Sequence, residues 1–315
     1  PDLCTVWKTC WEPIITIGFD VECAIVTGAG GGLGKQHALE FARRGAKVVV
    51  NDLGGAVDGS GGASDAANAV VEEIKAEGGE AISNGSSVAD KAGVSKMIEE
   101  TMEKWGRIDI LVNNAGILRD KSFHKISIEE FDQVMDVHFQ GSFYASHAVY
   151  PIMREQNFGR IIFTTSSGGL CGNFGQANYG AAKMGMIGLM NCLKIEGQKY
   201  NVFSSAVAPV ALSRMTESLF PEGIGERFMP EYVTPAVIYL ASDESENGAI
   251  IGAGAGVFTR FRILETMGLA LGTGEEMTPE NIAAGWDSVS DMDDARELFS
   301  GPEQTIKILE QADKS

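Results

Sequence analysis

The stretch "CAIVTGAGGGLGKQHALEFARRGAKVVVND", residues 23–52, decides how this chain is read. It opens on a continuous apolar run (23–28), turns through a cluster of glycines, and enters a helical pattern over 33–44 before a second apolar run (47–52). Unbroken apolar runs suit parallel strands covered on both faces. Strand, glycine turn, helix and strand form one βαβ unit. Gly28, Gly32 and Gly34, with Leu33 between the last two, have the GxxxGxG spacing of a dinucleotide loop. Absent side chains let backbone approach a pyrophosphate, and the helix start offers free N–H groups and the positive end of its dipole. Standing alone, the loop also reads as a flexible turn. Asp52, at the end of the second run, sharpens the first reading. A carboxylate there accepts hydrogen bonds from the adenosine ribose and repels a 2′-phosphate, which favours NAD over NADP. Lys35, beside the loop, pulls the other way.

The alternation continues outward. Further strand-like runs lie at 108–114, 160–166, 202–208 and 249–258, with helical patterns at about 63–77, 91–105, 127–155 and 177–199. The expected class is α/β, a Rossmann-type doubly wound parallel sheet in a single domain over 19–257. Residues 1–18 read as an N-terminal extension. Residues 258–315 read as a C-terminal helical extension packed on the same domain, with weak helical signals near 278–286 and 302–312. The glycine-rich segment 54–64 reads as a long surface loop.

A length of 315 residues is enough for one large domain with a substantial core. There is no apolar run long enough to suggest a membrane span. The net charge of −18 argues against nucleic acid as a partner and weighs against any anionic ligand. Five scattered cysteines without CxxC spacing suggest neither a disulfide framework nor a metal site, and point to a reducing interior. The ending "ADKS" is not an SKL-like signal, so the cytoplasm is the expected compartment, with the peroxisomal matrix as the alternative.

"SSGGLCGNFGQANYGAAK", residues 166–183, holds the candidate chemistry. Tyr179 and Lys183 share a helix face at i and i+4. A phenol is a poor base at neutral pH, and a neighbouring ammonium is expected to lower its pKa. Such a pair can take a proton from an alcohol or return one to a ketone. Ser166, at a strand end, can hydrogen-bond the same oxygen.

"TGAGGGLG", "NNAG" (113–116), Ser166 and "YGAAK" (179–183) together resemble the short-chain dehydrogenase/reductase family over about residues 19–257. The resemblance implies that Asn114, Ala115 and Gly116 line the adenosine side of the cofactor. It places Ser86, Ser87 and Val88 beside the adenine, and Ala211 to Arg214 over the nicotinamide. Tyr179 and Lys183 would touch the cofactor as well. "NNAGILRDKSF", "DVHFQGSF", "CGNFGQANY" and "MPEYVTP" are similar, more narrowly, to the branch that oxidises (3R)-3-hydroxyacyl-CoA. In most of the family an asparagine stands where this chain has His138, so His138 is a candidate for proton relay. Ser86 stands where that branch resembles an aspartate facing adenine, and Val210 where glycine or asparagine is usual.

The function implied is NAD-dependent oxidation of a (3R)-3-hydroxyacyl-CoA to the 3-oxoacyl-CoA. The alternatives are a 17β-hydroxysteroid or other secondary alcohol as substrate, or a non-catalytic NAD-binding scaffold. Arg119, Lys121, Arg214, Arg260 and Arg262 are candidates to offset the charge of CoA. The stretch 217–230, with Leu219, Phe220, Phe228 and Met229, is a candidate apolar lid. The helices 127–155 and 177–199 are expected to build a homodimer or homotetramer.

Overall fold

The computed structural model describes residues 16–54, 65–212 and 223–313. Strand β1 (Cys23–Thr27) is buried at every position and pairs in parallel on both sides, with β2 (Lys47–Asn51) and β4 (Ile110–Asn113). Ile25 lies opposite Val49 on one side and Leu111 on the other. Beyond β2 comes β3 (Ala81–Asn84). Beyond β4 come β5 (Gly159–Thr164), β6 (Val202–Pro209), β7 (Ile250–Gly254) and β8 (Val257–Phe261). The order is β3-β2-β1-β4-β5-β6-β7-β8, parallel except for β8, which runs antiparallel to β7.

Helices cover both faces, which is why the central strands are apolar without alternation. On one face α1 (Gly32–Arg43), α2 (Asp65–Ala76) and α8 (Thr234–Ala241) bury Leu39, Phe41, Val70, Ile74, Val237 and Leu240. On the other, α3 (Lys91–Trp105), α5 (Gly141–Gln156) and α7 (Ala177–Gly197) bury Met97, Val149, Met153, Met186 and Met190. The expected doubly wound α/β sheet is present.

Three local expectations are corrected. The helix expected over 127–155 is α4 (Ile128–Met135), a π-helical turn at Asp136–Gln140, and α5. The strand expected over 249–258 reverses at Ala255 and Gly256, both with positive φ, and returns as β8. The sheet therefore runs to Phe261, past the division expected at 257. β3 was absent from the expected strands. Its two middle residues are only partly buried, so it lacks the apolar run that marks the others. The short α6 (Ser167–Leu170) follows β5.

The C-terminal segment pairs β9 (Leu264–Glu265) with β10 (Arg296–Glu297) and adds α9 (Pro279–Ala284), α10 (Trp286–Val289) and α11 (Gly301–Ala312). Lys307 of α11 is buried, donates to the Thr266 carbonyl at 2.6 Å and pairs with Glu265 at 2.8 Å. Lys194 of α7 sits over the Phe299 ring at 4.9 Å, tying the segment to the sheet domain. Ile282, Trp286, Met292, Ile306, Ile308 and Leu309 remain exposed.

His37 of α1 is wholly buried, with Nδ1 2.9 Å from the Thr234 hydroxyl at the start of α8. Its Nε2 has no partner among the described residues. Burial pushes its pKa down to about 3, so the ring is neutral in the folded protein. The unfolded chain binds this proton near pH 6.5 and the folded one does not. The stability it supports is therefore complete above about pH 6.5 and lost as pH falls toward 3. We expect His37→Leu to flatten the acid limb of stability by about 1.4 kcal/mol per pH unit. Urea midpoints at pH 7, 5 and 4 measure this, and an unchanged slope contradicts it.

Candidate active site

The strand order places β1 between β2 and β4, with successive units winding outward in opposite directions, so a crevice opens at the carboxyl ends of β1 and β4. The glycine loop after β1 and residues 113–116 after β4 lie there. Gly28 and Gly32 adopt positive φ, +64° and +52°. A Cβ on Gly28 would stand 2.7 Å from the Ala115 Cα, and one on Gly34 only 2.6 Å from Asn114 Nδ2. Bare backbone is thus required for the loop to meet residues 113–116. Asn114 Nδ2 donates to the carbonyls of Thr27 (3.0 Å) and Gly28 (3.1 Å), while the Thr27 hydroxyl accepts the N–H groups of Asn114 and Ala115. Asn114 and Ala115 therefore hold the loop in shape. Gly31 caps α1 without a side chain, and no acidic residue stands in the first turn. Leu33 packs against the core.

Both oxygens of Asp52 accept backbone N–H groups, from Gly30 at 2.8 Å and Gly54 at 2.7 Å, so its carboxylate is held against the loop. Lys35 turns to Glu73 at 2.7 Å. Ser86, Ser87 and Val88 follow β3. The Ser86 carbonyl accepts from Asn51 Nδ2, Ser87 Oγ accepts from the Ala89 N–H, and Val88 packs where a Cβ on Gly141 would fall. This cradle fits a dinucleotide: bare glycine backbone, an uncapped helix start for a pyrophosphate, and a carboxylate at the next strand end.

Ser166 stands two residues beyond β5 and caps α6, its Oγ accepting the Gly168 N–H at 3.1 Å. Tyr179 and Lys183 stand one turn apart on α7, with Lys183 Nζ 5.3 Å from the phenol ring centre. The Ser166 hydroxyl acts on the phenol from beyond the end of β5, favouring its ionised form. Lys183 is 3% exposed, and its Nζ donates to the Thr164 carbonyl at 2.5 Å. His138, in the π-helical turn, lies under Gly116, where any Cβ would collide with its ring. Its Nε2 is within hydrogen-bond distance of both the N–H and the carbonyl of Ile117, and its ring meets Tyr179 edge-on at 5.3 Å. Ser166, Tyr179, Lys183, His138 and Gly116 are thus brought together.

The electrostatics differ from the expectation that Lys183 would lower the Tyr179 pKa. Burial pushes the phenol up. The Ser166 hydroxyl opposes this, and the negative charge of Asp120 adds to the rise. Burial also brings Lys183 down to about 7, so the amine is only partly charged at neutral pH. Both groups have left water, and for each the desolvation of its charged form is the largest effect. His138 is held down to about 3 by burial and then by the Lys183 charge, and is neutral.

Ala211 follows β6 and is buried, and Val210 donates its N–H to the Ala253 carbonyl at 2.8 Å. Arg214, Leu219 and Phe220 lie outside the described residues. Phe228 and Met229 lie on the far side of that gap, with the Leu212 N–H donated to the Phe228 carbonyl at 2.5 Å. The four described residues among the basic ones expected to offset CoA have other partners. Arg119 donates to Gln133, Lys121 pairs with Glu130, Arg260 with Glu246 and Arg262 with Glu297. Sequence reasoning missed Thr27, which orders the loop, and Asn178, which is buried and donates to the Arg119 carbonyl at 3.1 Å. It also missed Asp120 and Gln176, which meet across 56 residues at 2.7 Å. Asn178 and Gln176 stand beside Tyr179 in the sequence, a signal that was available.

A model of the short chain dehydrogenase family matches residues 22–222. The chain is 46% identical over 294 residues to peroxisomal multifunctional enzyme type 2 of Mus musculus, covering 93% of this chain and 40% of that protein. The structure of the full-length Drosophila melanogaster multifunctional enzyme type 2 aligns with TM-score 0.79 at 39% identity, covering 94% of this chain and half of that one. The chain thus spans half or less of both multifunctional enzymes. A 7α-hydroxysteroid dehydrogenase, solved with NADH and 7-oxo glycochenodeoxycholic acid, aligns with TM-score 0.69 at 28% identity over 76% of this chain and 95% of that one. The chain belongs to the short-chain dehydrogenase family, oxidoreductases acting on CH–OH groups.

Proposed function

We propose that the chain oxidises the 3-hydroxyl of (3R)-3-hydroxyacyl-CoA thioesters to the 3-oxo group, with NAD as hydride acceptor. The observation that carries this is the convergence of Ser166, Tyr179 and buried Lys183 at the mouth of the glycine-lined crevice. The likeness to the peroxisomal multifunctional enzymes supports this choice of substrate class.

NAD, when bound, supplies the carbon that accepts hydride, and Gly28, Gly32, Gly34 and Asp52 would hold it. The chain's own residues handle the proton. Ser166 orients the carbinol oxygen, and the Tyr179 oxygen takes its proton as the C–H bond is lost. Lys183 stabilises the phenolate while charged and feeds or drains protons, with a pKa near 7 suited to both. Because burial holds the phenol above its usual range, oxidation should gain speed as pH rises and ketone reduction should lose it. His138, neutral and latched to Ile117, acts on this reading by fixing the turn beneath Tyr179. The choice of NAD over NADP is supported by the held carboxylate of Asp52 and by the diversion of Lys35 to Glu73.

A second reading keeps the chemistry and changes the substrate to a steroid or another secondary alcohol. The likeness to a dehydrogenase solved with a bile-acid product favours it. The peroxisomal names of the relatives favour the peroxisomal matrix over the cytoplasm as the compartment.

We further propose a homodimer or homotetramer. Phe143 of α5 and Met184 and Ile195 of α7 present apolar surface, as does the C-terminal segment.

Replacing Tyr179 with Phe should cut NAD-coupled oxidation by about 10²- to 10⁴-fold and leave the Kd for NAD nearly unchanged. Parent-like turnover by this variant would rule the mechanism out. With a net charge of −18, and with Lys121, Arg260 and Arg262 paired to carboxylates, the protein should repel CoA. Raising ionic strength from about 0.02 to 0.2 M should therefore lower KM for the thioester by about two- to fivefold, and leave it flat for an uncharged steroid. A KM that rises with salt would mean that a free basic site holds the CoA phosphates. Light scattering should give the mass of two or four chains, and a single-chain mass would exclude the assembly.

A further inference from the structure

Asn178 stands one residue before the catalytic phenol and takes no part in the chemistry proposed above. It is the second residue of α7, and its side chain is wholly buried. Both polar atoms of its carboxamide are engaged. Nδ2 donates to the Arg119 carbonyl at 3.1 Å, across 59 residues of sequence, and Oδ1 accepts the Tyr179 N–H at 2.8 Å. A backbone N–H can only donate and a carbonyl only accept, so the two bonds agree on which end of the amide is nitrogen. The Tyr179 N–H belongs to the group at a helix start that finds no acceptor within the helix. Asn178 satisfies it and ties it across to the loop after β4.

That loop is held a second time. His138 Nε2 lies 2.8 Å from the Ile117 carbonyl and 3.0 Å from its N–H, and the same ring meets Tyr179 edge-on at 5.3 Å. Residues 117–119 are therefore gripped at one end by His138 and at the other by Asn178. Tyr179 touches both grips, one with its ring and the other with its backbone. The next residue of the helix is seated on α6, which Ser166 caps: a Cβ on Gly180 would stand 3.0 Å from the Gly168 carbonyl. The start of α7 is thus fixed between the serine-bearing turn and the loop after β4.

We propose that Asn178 is a positioning residue for the acid–base step, a strut that fixes the start of α7 on residues 117–119 and so sets where the Tyr179 oxygen stands relative to Ser166. The inference rests on the role of Tyr179 proposed above. Buried and engaged at both atoms, Asn178 is shielded from substrate and cofactor and acts only through the phenol. Lys183 is clamped to the end of β5 by its own bond to Thr164, one helical turn further on, so removing the strut frees the tyrosine without freeing the lysine. A reacting group misplaced by about 1 Å can cost about 10²-fold in rate. A buried amide that touches no reactant can therefore control turnover.

The test is a double-mutant cycle on NAD-coupled oxidation of a (3R)-3-hydroxyacyl-CoA. Asn178→Ala and Asn178→Ser both lose the reach to Arg119, while serine keeps an oxygen for a helix N–H. Each should lower kcat by about 10- to 100-fold. KM for the thioester and the Kd for NAD should stay within about twofold, because binding is not what the strut serves. In a Tyr179→Phe background the same substitutions should change the residual rate by less than about twofold, since no phenol oxygen remains to be misplaced. A loss of equal size in both backgrounds shows a general loosening and overturns the strut. Parent-like kcat in both single variants overturns it too, as does loss of NAD binding by both, which would assign Asn178 to the fold as a whole. If only Asn178→Ala fails to bind NAD, Asn178→Ser carries the cycle. In each of these cases the parent still turns over and the proposed activity stands. A parent that oxidises no such thioester overturns the activity, and the strut with it.

Discussion

The site depends on burying an amine. Lys183 is nearly inaccessible and gives its Nζ to the last carbonyl of β5, while Thr165 Oγ1, one residue further on, donates to the Lys183 carbonyl at 3.0 Å. Strand end and helix are thus clamped by two bonds running in opposite senses along the chain. The approach also needs α6 to be thin, since a Cβ on Gly169 would lie 2.6 Å from the Lys183 Cβ. An amine taken out of water this completely favours its neutral form, which brings its pKa near neutrality. The helix repeat then sets Tyr179 one turn above it. Loosening the clamp would give the lysine back to water and restore an ordinary ammonium, so the clamp sets the protonation behaviour of the pair as well as its geometry.

What could be read from the residues follows from range. The βαβ unit at 23–52 is visible because its signals are contiguous: two apolar runs, a glycine turn and one helix period. Tyr179 and Lys183 are visible because they lie on one helix, and Ser166 because it ends an apolar run. Three features escape for identifiable reasons. The hydrophobic pattern passes through 136–140 without a break, and a π-helical turn needs no proline or glycine to announce it. β3 is a sheet-edge strand of four residues, short and half-covered, so neither a long apolar run nor a clean alternation marks it. The Asp120–Gln176 pair joins loops far apart in sequence, and only the sheet order brings them together.

The pKa reading shows a different limit. A phenol beside an ammonium, taken as a pair in isolation, implies a lowered phenol pKa. Folding buries both partners, and the desolvation of each opposes its own charged form. Asp120 adds a negative charge on the same side. Spacing identifies the partners, but the sign of the shift depends on how much water the fold leaves them.

The same reasoning resolves the tension between an acidic chain and an anionic cofactor. The global charge is strongly negative, yet at short range the field is set by the nearest groups. Around the glycine loop these are backbone N–H groups at the start of α1, with no carboxylate in its first turn. The nearby carboxylate, Asp52, is committed to Gly30 and Gly54 and faces the loop from the β2 side, where ribose hydroxyls rather than phosphates would meet it. No basic side chain is therefore required at the pyrophosphate. Lys35 can be given to Glu73 in binding α1 to α2 without weakening the anion site.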